Sequence, residues 1–239
     1  MKDETYMDAI KLLQDASATP ENSVEFLELY RAANIKMFKD NLKTVDISID
    51  EIDALNIIYI SGTKGKGSVS AFCERILRAN GLKTGMFSSP HLMEICERIR
   101  INGLPLSCED FSKYFFDVYN KLNDIQNRFS FLTVMACHVF MQEKVDAVIM
   151  EEGAGGTYDC TNVIRFPTVT GINLIDFDHM EMFGDTLGKI AWHKAGICKP
   201  GRPAFTVTQS KEAVDVILAR PKELHVIIQL PITFPTIDN

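Results

Sequence analysis

The sequence predicts an α/β protein, a mostly parallel sheet flanked by helices. Short apolar, β-branched runs alternate with segments whose apolar residues recur at helical spacing. A glycine-rich turn joins the first such run to the helix that follows it, and no internal repeat or low-complexity tract competes with this reading. Strands separated by helices favour parallel pairing through right-handed crossovers, and ligands of such sheets gather at the carboxyl ends of the strands.

The chain opens with two amphipathic stretches, 6–13 and 24–30, which predict a helical cap ahead of the sheet. Residues 57–60 (Ile, Ile, Tyr, Ile) form a strand that stops at Gly62. Val69, Phe72, Ile76 and Leu77 then mark one face of a helix over 68–80, which Gly81 ends. Residues 84–87 read as a second strand, 109–122 and 131–142 as helices, and 145–150 as a buried strand. Residues 168–174 repeat the strand pattern, 185–198 are helical up to the stop at Lys199, Pro200 and Gly201, and 204–207 begin another strand. After Gln209 the pattern weakens. Residues 211–220 permit a helix, and Pro221, Pro231 and Pro235 interrupt the remainder of the chain.

With 46% apolar and 24% charged residues the chain has the profile of an ordinary globular protein, so disorder is not expected. A formal net charge of −7 argues against a broad surface for nucleic acid or anionic lipid, so any phosphate must be held locally. The six cysteines (Cys73, Cys96, Cys108, Cys137, Cys160 and Cys198) form no C-x-x-C pair and no zinc-spaced cluster, and read as reduced, mostly buried thiols. The first residues lack an apolar signal core, and no stretch approaches the roughly 18 apolar residues of a membrane span. A cytoplasmic protein is expected, with a mitochondrial form where an import sequence is added.

Gly62, Thr63, Lys64, Gly65, Lys66, Gly67 and Ser68 join a strand to a helix, where backbone N–H groups and the helix dipole favour a polyphosphate. Lys66 would reach the terminal phosphates. The match to the common P-loop is incomplete: Ile60 takes the place of its first glycine, and Gly67 stands where Ser or Thr follows the lysine. The alternative is a glycine turn with solvated lysines. Glu151 ends an apolar strand, where a carboxylate needs either a cation such as Mg2+ or the donors of a helix N-terminus. His179 follows a strand, and Lys194 sits in a helix where a solvated stripe or an ion pair is the ordinary reading.

The loop, with Ser88-Ser-Pro-His-Leu92 and Glu97-Arg-Ile-Arg-Ile-Asn-Gly103, resembles the Mur ligase superfamily and, within it, the folylpolyglutamate synthases, over nearly all of residues 6–209. Glu151-Glu-Gly-Ala-Gly-Gly-Thr-Tyr-Asp-Cys-Thr-Asn162 resembles the Glu-x-Gly-x-Gly-Gly segment of that family, with an ending similar to eukaryotic synthases. Asp178-His179, Gly184-Asp-Thr186 and Ile190-Ala-Trp-His-Lys-Ala-Gly-Ile197 complete the series in order.

The resemblance implies a P-loop-type Mur ligase central domain that binds ATP through Thr63, Lys64, Gly65, Lys66, Gly67 and Ser68. It implies Ser89, Glu151 and His179 as Mg2+ ligands and Lys66, His179 and Lys194 as catalytic residues, with Lys194 carbamylated. Ser88 is the competitor of Ser89 for the metal contact. His91 and Arg98 would approach a pterin or a carboxylate, against a plain surface pair of Arg98 with Glu94 or Glu97. Trp192, Phe87 and Phe183 read as core. The implied substrates are reduced folate, L-glutamate and ATP, joined through an acyl phosphate, and the full-length form is expected to be a monomer. Residues 1–209 would form the ATP-binding domain with its helical cap, and 210–239 a tail truncated before the C-terminal ligase domain. The sequence departs from the family at Glu152, where an apolar residue is usual, at Asp176 in place of a glycine, and in a shorter loop before Phe131. The competing readings are a non-catalytic ATP- or folate-binding derivative of the synthase and an unrelated P-loop kinase or GTPase.

Overall fold

A computed structural model describes residues 5–16, 24–223 and 228–229. In chain order its elements are α1 (Tyr6–Asp15), α2 (Val24–Thr44), α3 (Ile49–Asp53), β1 (Ile57–Ser61), α4 (Lys66–Ala79), β2 (Thr84–Phe87), β3 (Ile99–Ile101), β4 (Leu104–Pro105) and α5 (Cys108–Leu122). They continue as α6 (Arg128–Gln142), β5 (Ala147–Glu151), β6 (Val169–Ile172), α7 (Met180–Phe183), α8 (Leu187–Ala195), β7 (Ala204–Thr206), α9 (Lys211–Glu223) and β8 (Ile228–Gln229).

Among the described residues these strands form one eight-stranded sheet in the order β4-β3-β2-β5-β1-β6-β7-β8. β1 and β5 are near-continuous apolar runs because helices cover both of their faces. β1 pairs in parallel with β5 on one side and β6 on the other, placing Ile60 opposite both Glu151 and Gly171. One face carries Tyr59, Phe87, Val148 and Met150 into a core shared with Phe38, Phe111, Phe115, Phe131 and Phe140 from α2, α5 and α6. The alternating residues Ile60, Met86 and Ile149 face Val69, Cys73 and Leu77 of α4. A further cluster joins Ile172 to Ile190 and Ala191 of α8 and to Ala213 and Ile217 of α9.

Several boundaries differ from the sequence expectations, each for a local reason. α4 starts at Lys66 because Gly65, at φ +75°, turns the chain directly into the helix. α6 starts at Arg128, capped by the Asn127 side chain accepting from the Ser130 N–H at 2.9 Å. α2 runs on to Thr44, carrying Ile35, Phe38 and Leu42 inward at helical spacing. The antiparallel pairs β2–β3 and β3–β4 were not anticipated. Asn102 and Gly103, both at positive φ, form the two-residue turn of that second pair, and the Asn-Gly dipeptide was its signal. Past Gln209 the fold continues: α9 extends beyond Pro221 to Glu223, and β8 pairs with β7. The first four residues, Pro231 and Pro235 lie outside the described residues.

Gly85 in β2 shows how closely α6 meets the sheet. A Cβ there would stand 2.4 Å from the Phe140 ring, itself fully buried. Gly85→Ala is therefore expected to destabilise the fold by about 1–3 kcal/mol, read by urea unfolding, and Phe140→Leu in the same chain should recover part of that loss. An unchanged midpoint for Gly85→Ala would contradict this packing.

Candidate active site

The turn between β1 and α4 is closed against the end of β6. The Asn173 amide side chain donates to the Lys64 carbonyl at 2.6 Å, and the Asn173 N–H donates to the Ser61 carbonyl. Cβ atoms on Gly62 (φ +137°) or Gly65 would stand within 3 Å of Asn173, so both positions exclude a side chain. The Thr63 and Lys64 N–H groups donate to the Leu174 carbonyl, the Thr63 hydroxyl to the Asp176 carbonyl, and Lys64 pairs with Asp178 at 3.2 Å in solvent. The N–H groups of Lys66, Gly67 and Ser68 open α4, where a helix has no earlier carbonyl to receive them. At Gly67 a Cβ would meet Glu151 Oε2 at 3.7 Å, an ordinary contact, so the missing hydroxyl of the common P-loop is a chemical difference rather than a steric one.

Two buried carboxylates, the buried Lys194 and the partly buried Lys66 lie behind this turn. Lys66 Nζ donates to the Gly62 carbonyl at 3.1 Å and stands 3.9 Å from Glu151 Oε1. Glu151 is 3% exposed and its Oε2 has no hydrogen-bond partner. Burial pushes its carboxyl up to about 7, against the opposing pull of Lys66 and of the Ser89 N–H. The next residue, Glu152, is fully buried and paired through Oε1 with Lys194 Nζ, its Oε2 likewise unpartnered. Burial holds the Glu152 carboxyl above its usual range, and Lys66 below its own, where Lys194 adds to the effect.

Thr63, Lys66, Gly153, Asp178, His179, Phe183 and Lys194 line one small pocket. The fold thus brings Thr63 and Lys66 of the glycine turn, His179 and Lys194 together from three separate segments. Glu151 lies against Lys66 at the same strand ends, and Ser89 is the serine whose N–H faces Glu151, whereas the Ser88 N–H donates to the Arg98 carbonyl. His179 caps α7 in the left-handed region and is half exposed beside Asp178. Among the described residues no three His, Cys, Asp or Glu side chains stand at metal-binding spacing. A hard cation here would take Glu151 and complete its shell from hydroxyl, phosphate and water oxygens, and the orphaned Glu151 Oε2 fits that demand.

Lys194 is not a solvated stripe but forms the ion pair that was the other ordinary reading, buried with Glu152, and this explains a departure noted in the sequence. Asp159 was missed: its carboxylate accepts from the N–H groups of Gly153, Ala154 and Thr161 and folds the loop after β5. Thr157 ties that loop to the His193 carbonyl of α8. An Asp two residues before Thr161, the turn-forming spacing of an Asx side chain, was its signal. The Arg98 surface pair with Glu94 or Glu97 does not form. Arg98 Nε donates to His91 Nδ1 at 2.9 Å, because the Glu97 carboxylate is occupied by the N–H groups of Leu92, Met93 and Glu94. His91 and Arg98 border a second, larger pocket with Tyr6, Ile10, Arg128 and Phe129. Phe87 and Phe183 are core, and Trp192 is half-buried beneath the Arg220 guanidinium.

A glycine turn between the central strand and a helix of a mostly parallel sheet, beside buried carboxylates and the lysines paired with them, defines a P-loop-type α/β domain, here of the Mur ligase fold. No family model matches the chain. It is 47% identical over 234 residues to the mitochondrial folylpolyglutamate synthase of Bos taurus, covering 93% of this chain and 40% of that protein. Its structure matches a folylpolyglutamate synthase–AMPPCP–folate complex with a TM-score of 0.82 and 26% identity, over 95% of this chain and 54% of that one. A bifunctional folylpolyglutamate synthase/dihydrofolate synthase with Mn, AMPPNP and L-glutamate bound matches with a TM-score of 0.76 and 30% identity, over 95% and 52%. The chain belongs, over the part it matches, to the folylpolyglutamate synthase family, and it spans about 40% of the length of the bovine relative.

The raised carboxyl of Glu151 gives the metal-free protein a pH dependence of definite sign. Its folded value of about 7 exceeds the ordinary 4.5, so between those values the folded state holds a proton that the unfolded state has lost. Stability therefore falls as pH rises from about 4.5 to about 7, by up to roughly 3 kcal/mol from this group. Glu151→Gln is expected to match the parent at pH 4 and to exceed its stability at pH 8, by urea denaturation without divalent metal. Parallel stability curves for the two proteins would contradict the assignment.

Proposed function

We propose that this chain carries the ATP and Mg2+ site of a ligase that adds L-glutamate to the γ-carboxyl of tetrahydrofolate (poly)glutamates. The observation that supports it best is the convergence of Lys66, Lys194, His179 and Thr63 on one pocket beside a buried, under-bonded Glu151.

In this reading the N–H groups of Gly65, Lys66, Gly67 and Ser68 receive the nucleotide phosphates, with Thr63 and Lys64 closing the loop once their contacts to Leu174 are exchanged. Lys66 Nζ moves from the Gly62 carbonyl to the terminal phosphate, a cation in a site short of water and so electrostatically strong. Glu151, Ser89 and His179 would hold Mg2+, which supplies charge neutralisation at the phosphate oxygens. The folate γ-carboxylate attacks the γ-phosphorus and ADP leaves. The amine of L-glutamate then displaces phosphate from the acyl phosphate, losing a proton as the amide forms. Lys194 lines the same pocket; as a carbamate, which the family resemblance implies, it would exchange its ion pair with Glu152 for a carboxylate-like role.

The second pocket suits the folate. Phe129, Leu132 and Tyr6 offer apolar and aromatic surface, while Arg98, Arg128 and His91 offer donors to carboxylate oxygens. Residues 1–209 are read as the ATP-binding domain with its helical cap, onto which α9 and β8 pack beyond that boundary. A monomeric full-length protein, cytoplasmic with a mitochondrial form, belongs to the same proposal.

Calorimetric titration with Mg2+ and a non-hydrolysable ATP analogue tests the nucleotide site. The parent chain is expected to bind, and Lys66→Ala to lose binding at least tenfold, the effect of removing about 1.4 kcal/mol or more. Equal affinity in the two proteins would remove the phosphate-loop assignment.

A further inference from the structure

The hairpin of β3 and β4 places two thiols together that the reaction does not use. Its register, Arg100 opposite Pro105 and Ile101 opposite Leu104, continues one step through the Leu106 N–H donated to the Ile99 carbonyl at 3.1 Å. Beyond that step the helical turn Ile95–Arg98 faces the start of α5, and the Cys96 thiol lies beside both the Cys108 thiol and the Tyr6 hydroxyl, which donates to Glu94 at 3.0 Å. Cys108 is exposed, beside an opening lined by Tyr6, Ser112 and Lys113, while Cys96 is 4% exposed. Another neighbouring pair, Cys137 and Cys160, is buried on both sides in the core and has no such route to solvent.

We propose that Cys96 and Cys108 form a thiol-modification site that reacts with a low-molecular-weight disulfide such as glutathione disulfide and ends as a Cys96–Cys108 disulfide. Cys108 Sγ, as thiolate, attacks one sulfur of the small disulfide. That S–S bond breaks, and the first small thiol departs with the proton that Cys108 gave up. Cys96 Sγ then attacks the Cys108 sulfur of the mixed disulfide and expels the second small thiol, which carries away the Cys96 proton. Two protein thiols are oxidised and one small disulfide is reduced to two thiols. The order is set by access: Cys108 meets solvent, whereas burial pushes the Cys96 thiol up to about 11 and leaves it the resolving partner.

The bond would tie the turn Ile95–Arg98 to α5. Ile95 and Arg98 border the second pocket, and the Arg98 carbonyl receives the Ser88 N–H, so the tie fixes one wall of that pocket. The geometry of the two thiols carries this proposal independently of the ligase reading.

The test treats the whole reduced chain with glutathione disulfide, alkylates the remaining thiols, and measures intact mass and a non-reducing peptide map. Expected are a loss of two hydrogen atoms and a linked peptide pair containing Cys96 and Cys108, reversed by dithiothreitol. Cys96→Ser should stop at a glutathione adduct on Cys108, and Cys108→Ser should leave Cys96 unmodified. The proposal is overturned if the parent keeps both thiols free, accumulates a stable adduct on Cys108, or links any other pair.

Discussion

A carboxylate withdrawn from water with one oxygen unpartnered is the constraint around which this site is arranged. Glu151 ends β5, a strand hemmed in by β2 and β1, so water cannot solvate it, and the Ser89 N–H is the backbone donor that faces it. Lys66, 3.9 Å away, lowers the electrostatic cost without closing a hydrogen bond. An isolated buried charge is expensive unless it is neutralised or paired with good geometry, and a cation carried in with a polyphosphate would satisfy it. The glycine turn serves the same demand from the other side, bringing the N–H groups of α4 to the strand ends where the deficit lies.

The second carboxylate solves its burial differently. Glu152 is paired to Lys194 across the gap between the end of β5 and α8, and Thr157 and Asn162 hold that gap closed through the His193 and Gly196 carbonyls. Asp159 shapes the intervening loop and, itself buried, adds its charge beside Glu152, so the position of Lys194 in the phosphate pocket depends on a chain of hydrogen bonds that begins in the loop after β5. Gly156 permits it, since a Cβ there would stand 2.7 Å from the His193 carbonyl.

Much of this was legible from the sequence, for physical reasons. Central parallel strands are apolar on both faces, so 57–60 and, past Asp146, 147–150 stood out as apolar runs, and the loop at Gly62 was recognisable because conformation there demands glycine. Edge features were not legible: β3 and β4 are only three and two residues long, too short to show a strand period, although Asn102-Gly103 announced the turn. Pairings that span the fold were invisible. Glu152 meets Lys194 from 42 residues away, and Arg98 chose His91 because Glu97 was already taken by three N–H groups of its own turn. The helix over 211–223 was underestimated because its buried apolar residues, Ala213 and Ile217, are few and join a cluster shared with α8 and the end of the sheet.

The central claim is that the buried charges at the ends of β1 and β5 form a receptor for metal and nucleotide together. The most direct measurement is the unfolding temperature of the chain at pH 8 with Mg2+ alone, with an ATP analogue alone, and with both. The account predicts that the pair stabilises the protein by clearly more than the sum of the separate effects, since each partner completes the site for the other. A rise with the analogue alone that Mg2+ does not increase would contradict it.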